Sequence, residues 1–335
     1  KRSLAAALAG LAAAAAAPQT LAGSNEQFFP LATYRVGAYA SSGIPVWAGM
    51  IDYLRYINDV EGGINGVKLV WQECETEWTA EKGIECYERF KKGLNGAPVA
   101  IYHPNGAPAA YALSDKAAAD KIPLITLGYG RTEATDGGVF PYNFPAMLTF
   151  YSEASVVINY IAQREGGFEK LKGKKIATVY HDSAYGRETQ GTLELLAKKY
   201  GFENIQIPVA DPGNEQSAQT PYPGGAGFDI HKRIKQHILD KGKSDLKDPK
   251  SFGSVYYNSG LINAAIAVEA IRAGQKKFGN RPLNGEEGRW GLEHLNIDDA
   301  RLKDIGFGGL MQKLKLSCSD HEGGGAARVQ QWDGA

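Results

Sequence analysis

Two short segments carry the groups best suited to bind a small molecule. The first is Tyr102–Ala107 (YHPNGA), which follows an apolar strand pattern and precedes a helical one. Backbone N–H groups at the start of a helix lack partners and favour an anion, so a ligand carboxylate fits there without any catalytic residue. An ordinary strand-to-helix turn is the alternative interpretation.

The second segment is Leu127–Thr132 (LGYGRT), which also follows an apolar strand pattern. Its two glycines allow close approach to the backbone, and the Tyr129 ring can stack on a ring or an aliphatic chain. Arg131 can pair with a carboxylate through two parallel hydrogen bonds, although a solvated arginine is an equally open alternative. The segment therefore predicts a second part of the same site.

No arrangement of residues in the sequence predicts catalysis. His181 and Asp182 are adjacent at the end of a strand pattern, so their side chains point to opposite faces and cannot easily act on one atom. The run Cys318–Glu322 has neither the spacing of a zinc site nor that of a nucleophile with a distant base, and we interpret it as a solvated turn. We expect no enzymatic activity, no cofactor and no metal.

The elements that would position these segments alternate between strands and helices. Residues 34–74 predict a strand, a polar loop, an amphipathic helix that ends at Gly62-Gly63, and a second strand. Such alternation continues along the chain and indicates parallel βαβ units, which bind ligands at the carboxyl ends of their strands. Trp47 begins the apolar face of the helix, where its roles as ligand lid and as core residue are equally open.

The composition sets limits on the partners. The chain has 335 residues, enough for two domains, and its 37 Lys and Arg balance its 37 Asp and Glu. A net charge of zero gives no electrostatic argument for nucleic acid or an anionic membrane surface. We expect a monomer that binds no nucleic acid.

The first 22 residues have the pattern of a secretory signal peptide. A basic start, Lys1-Arg2, precedes the apolar stretch Leu4–Ala17, which is too short to anchor the chain across a bilayer. We expect cleavage after Ala22, with a buried Ala-rich helix as the alternative.

The stretches IND-x-x-GGINGVKL, PVAIYHPNGAPAAYAL, KIPLITLGYGRT and KKIATVYHDSAYGRE resemble type I periplasmic binding proteins of the branched-chain amino acid and amide class. The resemblance implies two α/β lobes, each a mostly parallel sheet flanked by helices, joined by a hinge of three crossings. It also implies a periplasmic receptor that closes on a branched-chain amino acid-like, amide or aromatic-acid ligand and delivers it to the permease subunits of an ABC importer.

The resemblance extends to the second wall of the site and to the cysteines. Relatives close on the ligand at positions that match Phe150, Tyr151 and the loop containing Asp182 and Tyr185. The predicted ligand-binding residues are Trp47, Tyr102, Pro104, Asn105, Gly106, Ala107, Gly128, Tyr129, Gly130, Arg131, Phe150, Tyr151, Asp182 and Tyr185. Leucine-binding relatives also have a disulfide comparable to Cys74–Cys86, for which two buried thiols are the alternative, and Cys318 is left as a predicted core residue on a late strand.

One part of the family pattern is missing after Gln219. Two strand–helix steps are absent there, a gap of roughly 60–80 residues. We therefore predict a first lobe of residues 30–146 and 252–310, and an incomplete second lobe of residues 147–251 and 311–335 with an exposed sheet edge. The alternative functions are a ligand-sensing regulatory domain of the same fold and, less favoured, a periplasmic α/β hydrolase.

Overall fold

The computed structural model describes residues 25–210 and 223–324. The predicted signal peptide, the position of the predicted gap after Gln219 and the last predicted strand, within 326–332, lie outside these residues. None of the described helices has the length and apolar character needed to cross a membrane.

The described elements follow the predicted alternation of strands and helices, except that the first strand lies before residue 34 instead of at the start of residues 34–74. The strands are β1 (Glu26–Thr33), β2 (Lys68–Glu75), β3 (Leu124–Leu127), β4 (Asn143–Ala146), β5 (Lys175–His181), β6 (Glu203–Val209), β7 (Asn296–Ile297) and β8 (Leu314–Lys315). The helices are α1 (Ala40–Glu61), α2 (Ala80–Phe90), α3 (Ala107–Asp120), α4 (Phe150–Glu165), α5 (Gln190–Tyr200), α6 (Asp229–His237), α7 (Val255–Phe278), α8 (Gly285–Glu293) and α9 (Asp299–Asp304).

Lobe 1 is built on a parallel sheet. β1 pairs with β2 and β3 pairs with β4, each in parallel. Parallel bridges connect residues 99–103 to β1 on one side and to β3 on the other. The resulting order, β2-β1-(99–103)-β3-β4, is that of a doubly wound sheet, so the loops that follow β1, residue 103 and β3 all leave from the same edge. The predicted parallel α/β fold is confirmed.

The packing of α1 against α7 forms much of the lobe 1 core. Their buried apolar side chains include Trp47, Ile51 and Leu54 on α1 and Leu261 and Ile266 on α7. The two backbones approach closely because Gly260 has no side chain: a Cβ there would lie 1.9 Å from the carbonyl oxygen of Val46. α1 therefore holds the loop that precedes it at a fixed position on the sheet edge.

Lobe 2, as described, is a two-stranded parallel sheet with α4 and α5 on one face. β5 pairs with β6, and a small core forms from Ala154, Ile158, Ala162, Leu171, Leu193 and Phe202. On the opposite face Val179 and Ile207, which are partners in the register, are 61% and 43% exposed. An uncovered apolar face is what a sheet without its usual neighbouring units presents, and the incomplete second lobe stays a prediction.

Several segments that were assigned to lobe 2 from the sequence lie on lobe 1. Ile230 and Ile234 of α6 and the following Ile238 belong to the lobe 1 core, as do Leu314 and Leu316. The return to lobe 1 therefore precedes α6 instead of following residue 251. The described part of lobe 2 is residues 150–210.

The chain leaves lobe 1 through residues 147–149, next to the C-terminal part of the described chain. The backbone N–H of Met147 donates to the carbonyl oxygen of Glu322 at 2.9 Å, and the N–H of Thr149 donates to the Glu322 carboxylate at 2.8 Å. These bonds place the end of the described chain beside the first crossing between the lobes.

The cysteine predictions have different outcomes. Cys74 and Cys86 form a disulfide with their Cα atoms 5.7 Å apart, which confirms the predicted pairing. Cys318 is exposed in a turn, so the prediction of a core cysteine is wrong. His321, expected in a solvated turn, is fully buried, and its ring stacks on Phe144 at 3.8 Å.

Candidate functional site

The α3 N-terminus lies at the carboxyl edge of the lobe 1 sheet, where lobe 2 meets it, and we refer to this region between the two lobes as the groove. Gly106 precedes α3 with φ at +135°, and no side chain caps the helix. A Cβ on Gly106 would lie 2.7 Å from Nε1 of Trp78, so only glycine allows the indole to lie over this turn. The first backbone N–H groups of a helix have no partner within it, so this wall favours a carboxylate.

The loop after β3 forms the adjacent wall. Gly128 and Gly130 both have positive φ, and the side-chain hydroxyl of Thr126 donates to the carbonyl oxygen of Tyr129 at 2.6 Å. Gly130 lies against Ala110 on α3, so this loop and the first turns of α3 border the same space. The N–H of Phe150 donates to the carbonyl oxygen of Gly128, which brings the start of α4 to the same edge.

Aromatic side chains from both lobes meet across the groove. The Tyr39 and Trp78 rings lie 4.4 Å apart, and the Tyr39 hydroxyl is 2.7 Å from Nε2 of His181 at the end of β5. Within lobe 2 the Phe150 and Tyr185 rings meet edge-on at 5.0 Å. The groove therefore has flat apolar walls together with hydroxyl and imidazole groups.

Glu188 makes a second polar contact between the lobes. This side chain is 5% exposed, and its Oε1 accepts a hydrogen bond from the Gly130 N–H at 2.9 Å and from the Tyr111 hydroxyl at 3.1 Å. Burial raises the pKa of the Glu188 carboxyl to about 8, while these two hydrogen bonds act in the opposite direction. Glu188 of lobe 2 thus contacts the loop after β3 of lobe 1 directly.

Comparison with known proteins agrees with this two-lobe arrangement. The model of a family described as periplasmic binding protein matches residues 27–222. The chain belongs to the periplasmic binding protein family. No match was found among curated proteins.

Solved structures resemble this periplasmic binding protein over most of their length. One, described as an ABC transporter permease from the Pseudomonas fluorescens group, is 70% identical with a TM-score of 0.86, covering 93% of this chain and 91% of that chain. A branched-chain amino acid ABC transporter protein from Thermus thermophilus with bound valine is 17% identical with a TM-score of 0.69, covering 90% and 91%. A solute-binding protein from Rhodopseudomonas palustris BisB5 in complex with 3,4-dihydroxybenzoic acid is 15% identical with a TM-score of 0.58, covering 89% and 90%.

Most of the residues predicted from the sequence border the groove of this periplasmic binding protein. Asn105, Gly106 and Ala107 lie at the start of α3, Gly128, Tyr129 and Gly130 follow β3, and Phe150, Tyr151 and Tyr185 belong to lobe 2. The contacts described above connect these three groups. Their role in ligand binding remains a prediction.

Five predicted residues have side chains that are buried in the core or engaged elsewhere, although Arg131 also lines a small pocket with Tyr129 and Gly130. Tyr102 is fully buried with its ring edge-on to Tyr87, Trp47 is 1% exposed in the core, and Pro104 is buried. Arg131 is exposed, with its guanidinium over the Phe140 ring, and Asp182 pairs with Arg187 at 2.6 Å. We leave these five side chains out of the proposed site.

Sequence reasoning did not single out Tyr39, Trp78, Tyr111 or Glu188. Tyr111 lies one helical turn after Ala107, so its position on the groove side of α3 was available from helical spacing. The other three lie in turns whose direction depends on packing between elements. Within the described residues, no group of three or more His, Cys, Asp or Glu side chains is placed to hold a metal ion.

Proposed function

We propose that this periplasmic binding protein is the substrate-binding component of an ABC importer and that it holds a small molecule between its lobes. The observation that carries the proposal is the direct contact between the lobes at the strand ends: the loop after β3 in lobe 1 bonds to Glu188, and Tyr39 of lobe 1 contacts His181 of lobe 2. A hinge at residues 147–149 and the other crossings allows the lobes to separate and close.

The groove favours a ligand with a carboxylate and a flat or apolar body. The N–H groups at the start of α3 receive the carboxylate, and the Tyr39 and Trp78 rings cover the body. Lobe 2 then closes with Phe150 and Tyr185, which removes the ligand from water. Closure by direct contacts such as Tyr39–His181 stabilises the form that a permease would recognise.

Relatives support this ligand class and partner. The three structural neighbours named above are described as ABC transporter proteins, and two of them hold valine and 3,4-dihydroxybenzoic acid. We accordingly infer a branched-chain amino acid-like, amide or aromatic-acid ligand, permease subunits as the partner, a periplasmic location and a monomeric state. None of these steps requires a bond to be made or broken.

A thermal-shift screen of the purified chain tests the proposal. The panel holds amino acids, amides and aromatic acids, and a ligand at 100 times its Kd is expected to stabilise the folded state by about 2.7 kcal/mol. The proposal would be contradicted if no member of the panel raised the melting temperature.

Calorimetry on a bound ligand then tests whether closure contributes to affinity. Tyr39→Phe removes the hydroxyl that contacts His181, and the loss of one hydrogen bond, about 1 kcal/mol, predicts a Kd roughly fivefold higher. Tyr200→Phe, which removes a hydroxyl at the end of α5 far along lobe 2, is the matched control and is expected to bind as the wild type does.

A further inference from the structure

Met147, at the first crossing between the lobes, has a strained backbone. It directly follows β4, and its φ is +85°, in the left-handed region that a residue with a side chain rarely adopts. Among the described residues, the other non-glycine residues with positive φ all lie within lobe 1: Asn65, Glu77, Trp78, Asn95, Asn105 and Lys121. Strain of this kind persists only where the surrounding structure enforces it, and it concentrates at sites of function and conformational change.

The surroundings of Met147 enforce this conformation. Its side chain is 4% exposed and belongs to the lobe 1 core. Its backbone N–H donates to the Glu322 carbonyl oxygen, and the Thr149 N–H donates to the Glu322 carboxylate. The loop after β3 also presses on the crossing, since a Cβ on Gly128 would lie 2.1 Å from the Leu148 carbonyl oxygen. The path of residues 147–149 is therefore fixed by several contacts at once.

Glu322 is itself held in lobe 1 by the residue before it. The His321 ring is fully buried, stacks on Phe144 and has Nδ1 2.7 Å from the carbonyl oxygen of Asn143. The His321 N–H donates to the Thr135 carbonyl oxygen at 2.9 Å. The hydrogen bonds that hold the crossing therefore start from a rigid part of lobe 1.

We propose that closure of the lobes forces Met147 into the left-handed conformation, so that this residue opposes closure and sets the affinity for the ligand. This inference rests on the proposed function and adds a control on the same movement. In the structure the Tyr39 hydroxyl lies 2.7 Å from Nε2 of His181, and Met147 is strained in this closed form. Separation of the lobes moves the start of α4 away from lobe 1, and the backbone at Met147 then relaxes to negative φ. A closed form that is less populated for this reason lowers the apparent affinity in proportion.

Two substitutions at Met147 separate strain from packing. Met147→Ala and Met147→Gly both remove the side chain from the core, but only glycine adopts positive φ without a penalty. Met147→Gly is therefore expected to bind the ligand found in the thermal-shift screen with a Kd about five- to tenfold lower than that of Met147→Ala. Calorimetry on the full chain measures both values.

Lys121 provides the matched control within lobe 1. It follows α3 with φ at +57°, and its side chain is exposed. Lys121→Gly should be more stable than Lys121→Ala in denaturant unfolding, because glycine relieves strain there too. The two Lys121 variants should bind the ligand equally, since the residue is not on a connection between the lobes.

A measurement without ligand makes the inference independent of the screen. Single-molecule FRET between dyes on Lys92→Cys in lobe 1 and Lys198→Cys in lobe 2 reports the closed fraction, with Cys318→Ser to remove the exposed thiol. The ratio of closed to open molecules is expected to be about five- to tenfold higher in Met147→Gly than in Met147→Ala.

The wild type gives a further test that does not depend on how well the truncated variants fold. The chain has three methionines, so selective isotope labelling of methionine gives one backbone NMR signal for each. Ligand is expected to move the Met147 signal towards values typical of positive φ and to leave that of Met50, buried in α1, in place. A Met147 signal that does not respond to bound ligand would reject the inference.

The outcomes separate this inference from the proposed function. Equal Kd values and equal closed fractions for the two Met147 variants, or tighter binding by Met147→Ala, would show that the strain is the same in both forms and would reject the inference while ligand binding stands. No ligand in the screen, together with a higher closed fraction in Met147→Gly, would reject the proposed function and support a strain that opposes closure.

Discussion

At the scale of single residues, the burial of the Glu153 carboxyl on the first turn of α4 has the clearest cost in folding free energy. Its side chain is 4% exposed, and neither carboxyl oxygen has a hydrogen-bond partner among the described residues. Burial raises the pKa of this carboxyl from 4.5 to about 7. The folded state therefore binds the Glu153 proton more tightly than the unfolded state does.

This pKa shift predicts a pH dependence that one substitution removes. Because the folded pKa is the higher one, the free energy of unfolding falls as pH rises from about 4.5 to 7, by up to about 3 kcal/mol at 1.4 kcal/mol per pKa unit. Glu153→Gln is expected to be more stable than the wild type by about 1–3 kcal/mol at pH 8 and equal to it near pH 4. Denaturant unfolding at pH 4, 6 and 8 measures the difference.

A carboxylate on the same helix serves as the control. Glu165 is exposed and pairs with Lys174, so Glu165→Gln should shift stability by a similar small amount at each pH. Parallel pH profiles for wild type and Glu153→Gln would show that the Glu153 carboxylate reaches solvent.

Residues whose role follows from local backbone geometry could be predicted, and residues whose role follows from burial could not. Gly106 and Gly128 stand out because strand-to-helix patterns place them in tight turns, and both have positive φ. In the sequence, Glu153 and Glu188 have polar or aromatic neighbours, a pattern that predicts solvent-exposed side chains. Their burial depends on how α4 and the turn before α5 meet other elements, which no local pattern specifies.

At the scale of elements, the close contact between α1 and α7 depends on the absence of a side chain at Gly260. A Cβ on Gly260 would lie 1.9 Å from the Val46 carbonyl oxygen, a distance that no real Cβ contact reaches. Gly260→Ala should therefore force the two helices apart and lower the free energy of unfolding by about 2–4 kcal/mol, despite the better helix propensity of alanine.

The control for this substitution is a helical glycine with free space. A Cβ on Gly191 in α5 would meet nothing within 4 Å, so Gly191→Ala is expected to be neutral or to stabilise by up to about 1 kcal/mol. Opposite signs for the two changes in thermal or denaturant unfolding would assign the effect to packing. A neutral Gly260→Ala would mean that the helices can separate at little cost.

The elements themselves could be predicted where the hydrophobic period is long and unbroken. α1 and α3 appear close to where their patterns place them, whereas residues 141–149 suggest an irregular crossing because of Pro141 and Pro145. The structure has β4 there, and a proline is compatible with it because β4 lies at the edge of the lobe 1 sheet. α5 begins at Gln190 rather than at Tyr185, which leaves Glu188 in a turn that can reach lobe 1.

At the scale of the whole molecule, the two-lobe plan could be predicted but the assignment of segments to lobes could not. α6 is amphipathic, and that pattern states only that one face is buried. Its isoleucines pack in the lobe 1 core, and Lys243, shortly after it, pairs with Asp59 on α1 at 2.6 Å. Which lobe receives an amphipathic helix depends on the length of the preceding connection and on the complementary surface, and neither has a local signature.

The uncovered face of the lobe 2 sheet makes the predicted gap testable by mutation. Val179 and Val99 both lie in parallel strand segments, but Val179 is 61% exposed and Val99 is 5% exposed. Val→Thr keeps the shape of the side chain and replaces one methyl group with a hydroxyl, so its cost reports whether water already reaches the site. Val179→Thr is expected to change the free energy of unfolding by less than about 0.5 kcal/mol, and Val99→Thr to lower it by about 1–3 kcal/mol.

Denaturant unfolding of the two variants beside the wild type measures this contrast. If further strand–helix units covered the lobe 2 sheet, Val179 would be buried between layers as Val99 is, and the two substitutions would cost similar amounts. A cost above about 1 kcal/mol for Val179→Thr would therefore contradict an incomplete second lobe. A small cost would show that water reaches this face of the sheet, as an incomplete second lobe requires.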